Sequence, residues 1–338
     1  MIGVLLINLG TPASPRTSDV RKYLREFLSD PRVMDIPGPL RWLLVHGLIA
    51  PLRAPKSAQA YQKIWLSDGS PLLHNTRLLA KALGEQLGQE YLVEFAMRYG
   101  TPGITAVLNQ MADRGAREIR VLPLYPQYAA SSTATAEDQA LRWHRHREDG
   151  PEIKFLPPFF DHHGFLKSFA ELGEPILKEL KPEHTLFSFH GLPMRHILKE
   201  DVSGQHCLQS EDCCEKIVPA NGMCYRAHCF QSARGIARLL GLSPQDYTIC
   251  FQSRLGKGWL EPFTDQLLQT LPDRGVRRLL VFCPSFVADC LETLEEIAMR
   301  GRESFIRSGG RELRLVPSLN AQPHWVQSVA GMVRGETA

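Results

Sequence analysis

The sequence predicts an α/β fold of two similar Rossmann-like halves, each a doubly wound, four-stranded parallel sheet. Two observations carry the prediction. Eight short apolar runs alternate with helix-patterned segments, and the second half of the chain repeats the order of the first.

VLLINL, LVEFAMR, IRVLPLY and IKFLPPF lie in the first half, and TLFSFH, YTICFQS, LLVFCPSF and LRLVPSL in the second. They read as buried strands, apolar enough for helices to cover both faces of the sheet. Segments such as NTRLLAKALGEQLG and CLETLEEIAMRGRESFIRSG carry the helical spacing between them. Three paired stretches expose the repeat: VLLINLGTP (4–12) with TLFSFHGLP (185–193), FAMRYGTPG (95–103) with FQSRLGKG (251–258), and DRGAREIRVLPLYPQY (113–128) with DRGVRRLLVFCPSF (273–286). Order is kept while spacing drifts, as in a duplicated unit. The join falls near residues 150–165, giving halves over 1–155 and 156–330.

With 338 residues, 43% hydrophobic and 22% charged, the chain has the composition of an ordinary globular enzyme. The 39 Lys and Arg exceed the 36 Asp and Glu by only 3, which argues against a nucleic-acid partner. The basic run RWHRHRED (142–149) also carries acids and reads as a solvated helix face. No GxGxxG or GxxxxGK[ST] follows a strand, so no nucleotide cofactor is expected. MIGVLLINLGTP reads as a first strand rather than a signal peptide. GPLRWLLVHGLIAPL (38–52) holds Arg41 and His46 and is too short to span a bilayer. The expected compartment is the reducing cytoplasm, where clustered cysteines favour a metal over disulfides.

Ligands of open α/β sheets sit beyond the carboxyl ends of the strands. That places His190, Arg98, Tyr125, Tyr128 and the segment after Pro284 near chemistry. His190 closes FSFH and precedes a Gly-Leu-Pro turn. A lone histidine in apolar company is more often a packed core residue, but at a strand's carboxyl end it can take a proton or bind a metal. FVADCLETLEEIAMRGRE (286–303), read as a helix from about Asp289, puts Asp289, Glu292 and Glu296 on one face. The helix dipole explains acids in a first turn, but explains Glu296 less well. Three carboxylates on one stripe repel unless cations pass or protons are shared, so a facing histidine fits divalent-cation delivery with proton removal. In LYPQYAASSTATA (124–136), two tyrosines enter a hydroxyl-rich turn that either caps a helix or holds carboxylates.

Five of the eight cysteines fall in HCLQSEDCCEKIVPANGMCYRAHC (206–229): Cys207, Cys213, Cys214, Cys224 and Cys229. Four thiolates suit iron–sulfur or zinc. The lack of paired CxxC knuckles ranks iron–sulfur first, zinc second and no metal third. Adjacent Cys213 and Cys214 side chains diverge in most backbone conformations, which leaves Cys229 as an alternative fourth ligand. Cys250, Cys283 and Cys290 read as buried packing residues.

Taken together, FSFHGLP, LYPQYAASSTA, FQSRLGKGWLEPFTD and ADCLETLEEI resemble the ferrochelatase family, in family order, from INLGTP to SLNAQPHW. The resemblance implies insertion of Fe²⁺ into a porphyrin held in a cleft between the halves. It implies His190 and Glu292 as the catalytic pair that contacts iron, Asp289 and Glu296 as the acidic path beside it, and Arg98 and Tyr99 on the opposite wall where iron approaches. Tyr125 and Tyr128 would join that wall, and the stretch 38–52 would form an apolar lip over the ring, with peripheral membrane contact. Leu9, where coproporphyrin-using relatives carry tyrosine, resembles the protoporphyrin branch. The implied partners are porphyrin, ferrous iron and the preceding enzyme of haem synthesis. Cys207, Cys213, Cys214 and Cys224 look inserted relative to simple members, and some members bind a [2Fe–2S] cluster. Coproporphyrin chelation and a non-catalytic haem or iron–sulfur carrier are the alternatives.

Overall fold

The computed structural model describes residues 1–147, 150–254 and 256–336. The chain divides into two compact units. One comprises Met1–Tyr125, Ala130–Pro157 and the stretch from Val326 onward; the other comprises Pro126–Ala129 and Pro158–Trp325.

The first unit holds four strands, β1 (Ile2–Gly10), β2 (Tyr91–Tyr99), β3 (Glu118–Pro123) and β4 (Glu152–Phe155), in the order β2-β1-β3-β4. All three pairings are parallel. β1 is paired on both edges, and Val4, Leu5, Leu6 and Ile7 are fully buried. Such a strand must be apolar on both faces, which is why its sequence runs without alternation. Each of these side chains contributes about 1.5–3 kcal/mol by leaving water. β1 ends at Gly10 because a Cβ there would lie 1.8 Å from the Tyr99 carbonyl oxygen, and its φ of +118° suits glycine.

The second unit repeats the plan with β5 (His184–His190), β6 (Tyr247–Gln252), β7 (Arg278–Phe282) and β8 (Glu312–Leu315), ordered β6-β5-β7-β8 and again wholly parallel. The eight strands are the eight apolar runs of the sequence. β3 closes on Pro123, and β4, β7 and β8 each end two residues before a proline, which has no N–H for the ladder. The duplication extends to detail. Past each second strand the chain folds back, so that Met97 N–H reaches the Pro102 carbonyl at 2.7 Å and Phe251 N–H reaches the Pro262 carbonyl at 2.9 Å. Of the basic run 142–149, the part through Arg145 lies on the helix Thr135–Arg145, and Glu148 and Asp149 lie outside the described residues.

The segment after β7 departs from the single helix expected from Asp289. Cys290 is the N-cap, a short α-turn covers Leu291–Thr293, a π-helix runs Leu294–Gly301, and α-helix resumes at Arg302–Arg307. Asp289 therefore lies before the helix and not on its acidic face. Its carboxylate accepts from Asn320 Nδ2 at 2.8 Å, Ser318 N at 3.2 Å and Thr293 Oγ1 at 3.3 Å, which ties the loop down. The π-helix, bonded i to i+5, also shifts the phase of every residue after Thr293.

Candidate active site

His190 is the last residue of β5 and half-buried. Its Nδ1 lies 2.7 Å from the Gly191 carbonyl oxygen. A carbonyl can only accept, so Nδ1 carries the proton and Nε2 keeps its lone pair for a proton or a metal. Gly191 presses against β6: its N–H donates to the Gln252 carbonyl at 2.8 Å, and a Cβ would sit 2.8 Å from that same oxygen. The HGLP turn needs glycine for this close approach.

Gln252 joins the imidazole's turn to the acidic segment. It is paired with His190 in the sheet, and its Nε2 donates to the Glu292 carbonyl at 2.8 Å. Its Oε1 accepts from Ser188 Oγ at 2.8 Å, which fixes the amide's orientation. Ser253 follows in the left-handed region at φ 62°. That conformation is uncommon for a residue with a Cβ and marks a locally constrained site. It aims both the amide and the hydroxyl of Ser253 at Glu296, at 2.9 and 2.6 Å. Glu296 is pushed above the usual carboxylate range, chiefly by burial; the Ser253 hydroxyl opposes this, the neighbouring Glu292 charge adds to it, and Arg300 and His190 pull weakly down. One imidazole and two carboxyl groups thus share one electrostatic environment at the carboxyl end of β5. A proton can be taken there and a divalent cation steered.

In the other unit, Arg98 and Tyr99 close β2 and converge on Asp30. Arg98 Nη2 donates to Asp30 Oδ2 at 2.6 Å and Tyr99 Oη at 2.9 Å. The Thr135 hydroxyl also donates to that oxygen, at 2.5 Å, while accepting from Arg98 Nε at 2.8 Å. Burial pushes the Asp30 carboxyl up, but the Thr135 hydroxyl, the Arg32 amide, the Tyr99 hydroxyl and Arg98 together hold it lower than usual. The same burial drives the Tyr99 phenol strongly upward. Thr135 serves this network, and the expected capping is not seen: the N-cap of the helix Thr135–Arg145 is Ala134, with no side-chain hydrogen bond. Arg98 also borders a cavity of about 570 Å³ with Trp143, Arg142 and Arg147. Tyr125 packs on the first core, and its buried hydroxyl finds no partner among the described residues. Leu9 is half-buried near the end of β1. Tyr128 belongs to the second unit, where its N–H donates to His228 Nδ1 at 3.2 Å.

The stretch 38–52 forms a helix over Gly38–Leu43, a π-turn over Leu44–Ile49 and the start of a helix over Ala50–Ile64. Trp42, Leu43 and Leu52 expose 64%, 60% and 69% of their surface, an apolar display concentrated in one short stretch of chain.

All five cysteines of the segment 206–229 are buried and free. The Cys213 and Cys214 sulfurs lie 3.7 Å apart, against the expected divergence. The Asn221 amide holds the Cys213 and Lys216 carbonyls of the same turn at 2.9 Å each. Cys224 caps the helix Tyr225–Leu239 and is pulled below the usual thiol range, chiefly by a hydrogen bond from Cys214, with help from Cys207 and the Ala227 and Arg226 amides. Arg226 reaches the Cys214 and Cys213 sulfurs at 3.1 and 3.4 Å. Cys229 instead neighbours the Tyr225 hydroxyl. Cys250, Cys283 and Cys290 are buried as expected. Among the described residues, no three His, Cys, Asp or Glu side chains are disposed around a single metal ion. No helix among them is long and apolar enough to cross a membrane.

A duplicated parallel α/β fold with an imidazole and half-buried carboxyl groups at a strand's carboxyl end is an arrangement suited to a metal chelatase. The ferrochelatase family profile matches residues 1–337. Ferrochelatases of Azotobacter vinelandii and Coxiella burnetii (strain Dugway 5J108-111) are similar at 48% and 45% identity, each over 98% of this chain and over 98% and 93% of their own lengths. The chain belongs to the ferrochelatase family. In fold alone it is similar to the sirohydrochlorin chelatase SirB from Bacillus subtilis subspecies spizizenii in complex with cobalt, at a TM-score of 0.56 and 10% identity, over 99% of this chain and 95% of that one.

Asp30, Gln252, Ser253, Tyr225 and Ser285 were not singled out by sequence. Gln252 and Ser253 did lie in the repeat pair FAMRYG and FQSRLG, where a polar pair closing an apolar strand was the available signal.

Proposed function

We propose that this enzyme inserts Fe²⁺ into protoporphyrin IX, giving protohaem and releasing two protons. The observation that carries the reading is Gln252, whose backbone holds the His190 turn while its side chain holds Glu292. The two pyrrole N–H protons leave as iron enters, and iron stays ferrous, so the reaction balances without a redox partner. His190 Nε2 accepts protons from the ring. Glu292 contacts iron and aids its dehydration, and Glu296 lines the acidic path behind it. Asp289 contributes by anchoring the loop that starts the path. A ring held bent exposes its nitrogens, and burial of its large apolar faces offsets the distortion. Arg98 and Tyr99, pinned by Asp30, are the pair that iron would meet on its approach, and Tyr125 and Tyr128 would contact the ring. Leu9, small and apolar, favours protoporphyrin over a more polar ring. Near-full-length identity to ferrochelatases disfavours a non-catalytic carrier.

The exposed lip at Trp42 and Leu43 supports covering of the apolar ring and peripheral contact with a membrane, where the preceding enzyme of haem synthesis would release its product. Eight free thiols accord with a reducing cytoplasm. Cys207, Cys213, Cys214 and Cys224 form a buried thiol group that fits a [2Fe–2S] cluster, with Arg226 and helix amides to offset thiolate charge. The cluster would supply stability or sensing, and no proton or iron step uses it.

The test is an anaerobic assay with Fe²⁺ and either protoporphyrin or coproporphyrin. The parent should prefer protoporphyrin, and His190→Ala should lose at least a hundredfold in kcat with its melting temperature kept. A parent rate in His190→Ala rejects the assignment.

A further inference from the structure

We infer that Tyr225, acting with Ser285, is a positioning residue that holds the catalytic histidine by its backbone; this rests on the role given to His190 above. The reason lies in where the sheet stops. β5 pairs with β6 as far as His190, but with β7 only as far as Phe187, opposite Phe282. Beyond Phe282 the chain leaves the sheet and turns at Pro284 and Ser285. On that side the N–H and C=O of His190 have no strand to meet, and buried backbone groups require partners.

Two side chains take the strand's place. The His190 N–H reaches Ser285 Oγ at 3.4 Å, and the Tyr225 hydroxyl donates to the His190 carbonyl at 2.8 Å. Tyr225 Oη and Ser285 Oγ are themselves 3.0 Å apart, which closes a three-membered clamp. Tyr225 is buried, and its hydroxyl must be satisfied where it stands. Gly191 bonds to β6 on the other edge, so both edges of the turn that orients the imidazole are fixed. Tyr225 also follows Cys224 directly, which places the clamp in the first turn of the helix whose N-cap residue is Cys224.

Removing only the hydroxyl should let the His190 peptide tilt while the ring still fills its space. Nε2 would then miss its target geometry although substrate binding is untouched. Tyr225→Phe should lower kcat about tenfold, with both KM values within twofold and the melting temperature within 2 °C of the parent. Ser285→Ala should behave alike. The double variant should lose no more than the worse single one, because both remove one clamp. His190→Ala is assayed beside them. Parent kcat in both Tyr225→Phe and Ser285→Ala, with His190→Ala inactive, overturns the clamp alone. So does a loss that is additive or follows the melting temperature. Parent kcat in His190→Ala overturns the function reading and the clamp with it.

Discussion

Ser253 gives Glu296 two hydrogen bonds, from its amide at 2.9 Å and its hydroxyl at 2.6 Å, yet the carboxyl still sits above the usual range because it is buried beside Glu292. A raised carboxyl favours the folded state fully only below the unfolded value near 4.5, and the advantage is lost as pH rises through the folded value. Glu296→Gln removes the titration and keeps the shape. Its melting temperature should exceed the parent's at pH 8 and match it at pH 4. Equal melting at both pH values would mean that burial imposes no charge penalty at this position.

His228 makes the opposite case. It is buried, stacked on Phe160 with ring centroids 3.7 Å apart, and its two nitrogens are used: Nδ1 accepts from Tyr128 N–H, and Nε2 donates to the Gly222 carbonyl at 2.9 Å. Burial holds its pKa down at about 4. Stability from a depressed histidine is complete above the unfolded value of 6.5 and drains away as pH falls toward 4, about 3 kcal/mol in all. His162 and His184 are depressed in the same direction, also by burial. Urea midpoints measured from pH 7 to 4 should therefore fall for the parent, and fall less steeply for His228→Gln. Parallel slopes would exclude His228 as a source of acid sensitivity.

The sequence reveals what depends on local pattern. All eight strands are legible because a strand covered on both faces has to be apolar throughout. The place of His190 at a strand's end is legible because it interrupts such a run. Asp289 is misplaced because an acid just before a helix and an acid within its first turn look alike; only Asn320 and Ser318, some thirty residues away, decide between them. Asp30 is invisible for a similar reason, since Arg98, Tyr99 and Thr135 reach it across the fold. Ser253 and Tyr225 depend on a positive φ and on where β7 leaves the sheet, and neither has a local signature.

The lip can be tested by its polarity. Trp42 and Leu43 are exposed, and the stacking of Trp42 on His46 lies at the surface, so replacing both by serine should leave the melting temperature nearly unchanged. Burial of such a side chain against a flat ring contributes about 1.5–3 kcal/mol. The double variant should raise the porphyrin KM at least tenfold while kcat and the KM for Fe²⁺ hold. An unchanged porphyrin KM would separate the lip from the substrate.

The cysteine group yields the last prediction. Cys214 and Cys224 share a hydrogen bond, Cys207 also bonds to Cys224, and Cys213 lies 3.7 Å from Cys214. Cys229 bonds to the Tyr225 hydroxyl, although it also lies within electrostatic reach of Cys224 and Arg226. A two-iron cluster on the first four would give anaerobically purified protein a visible absorption band, with about two irons and two sulfides per chain. Cys224→Ser should abolish the band, because it removes the thiol to which two others bond. Cys229→Ser should keep it, since that sulfur serves the tyrosine. Loss of the band in Cys229→Ser with retention in Cys213→Ser would exchange those two ligands, and zinc without sulfide in the parent would replace the cluster by a single-ion site.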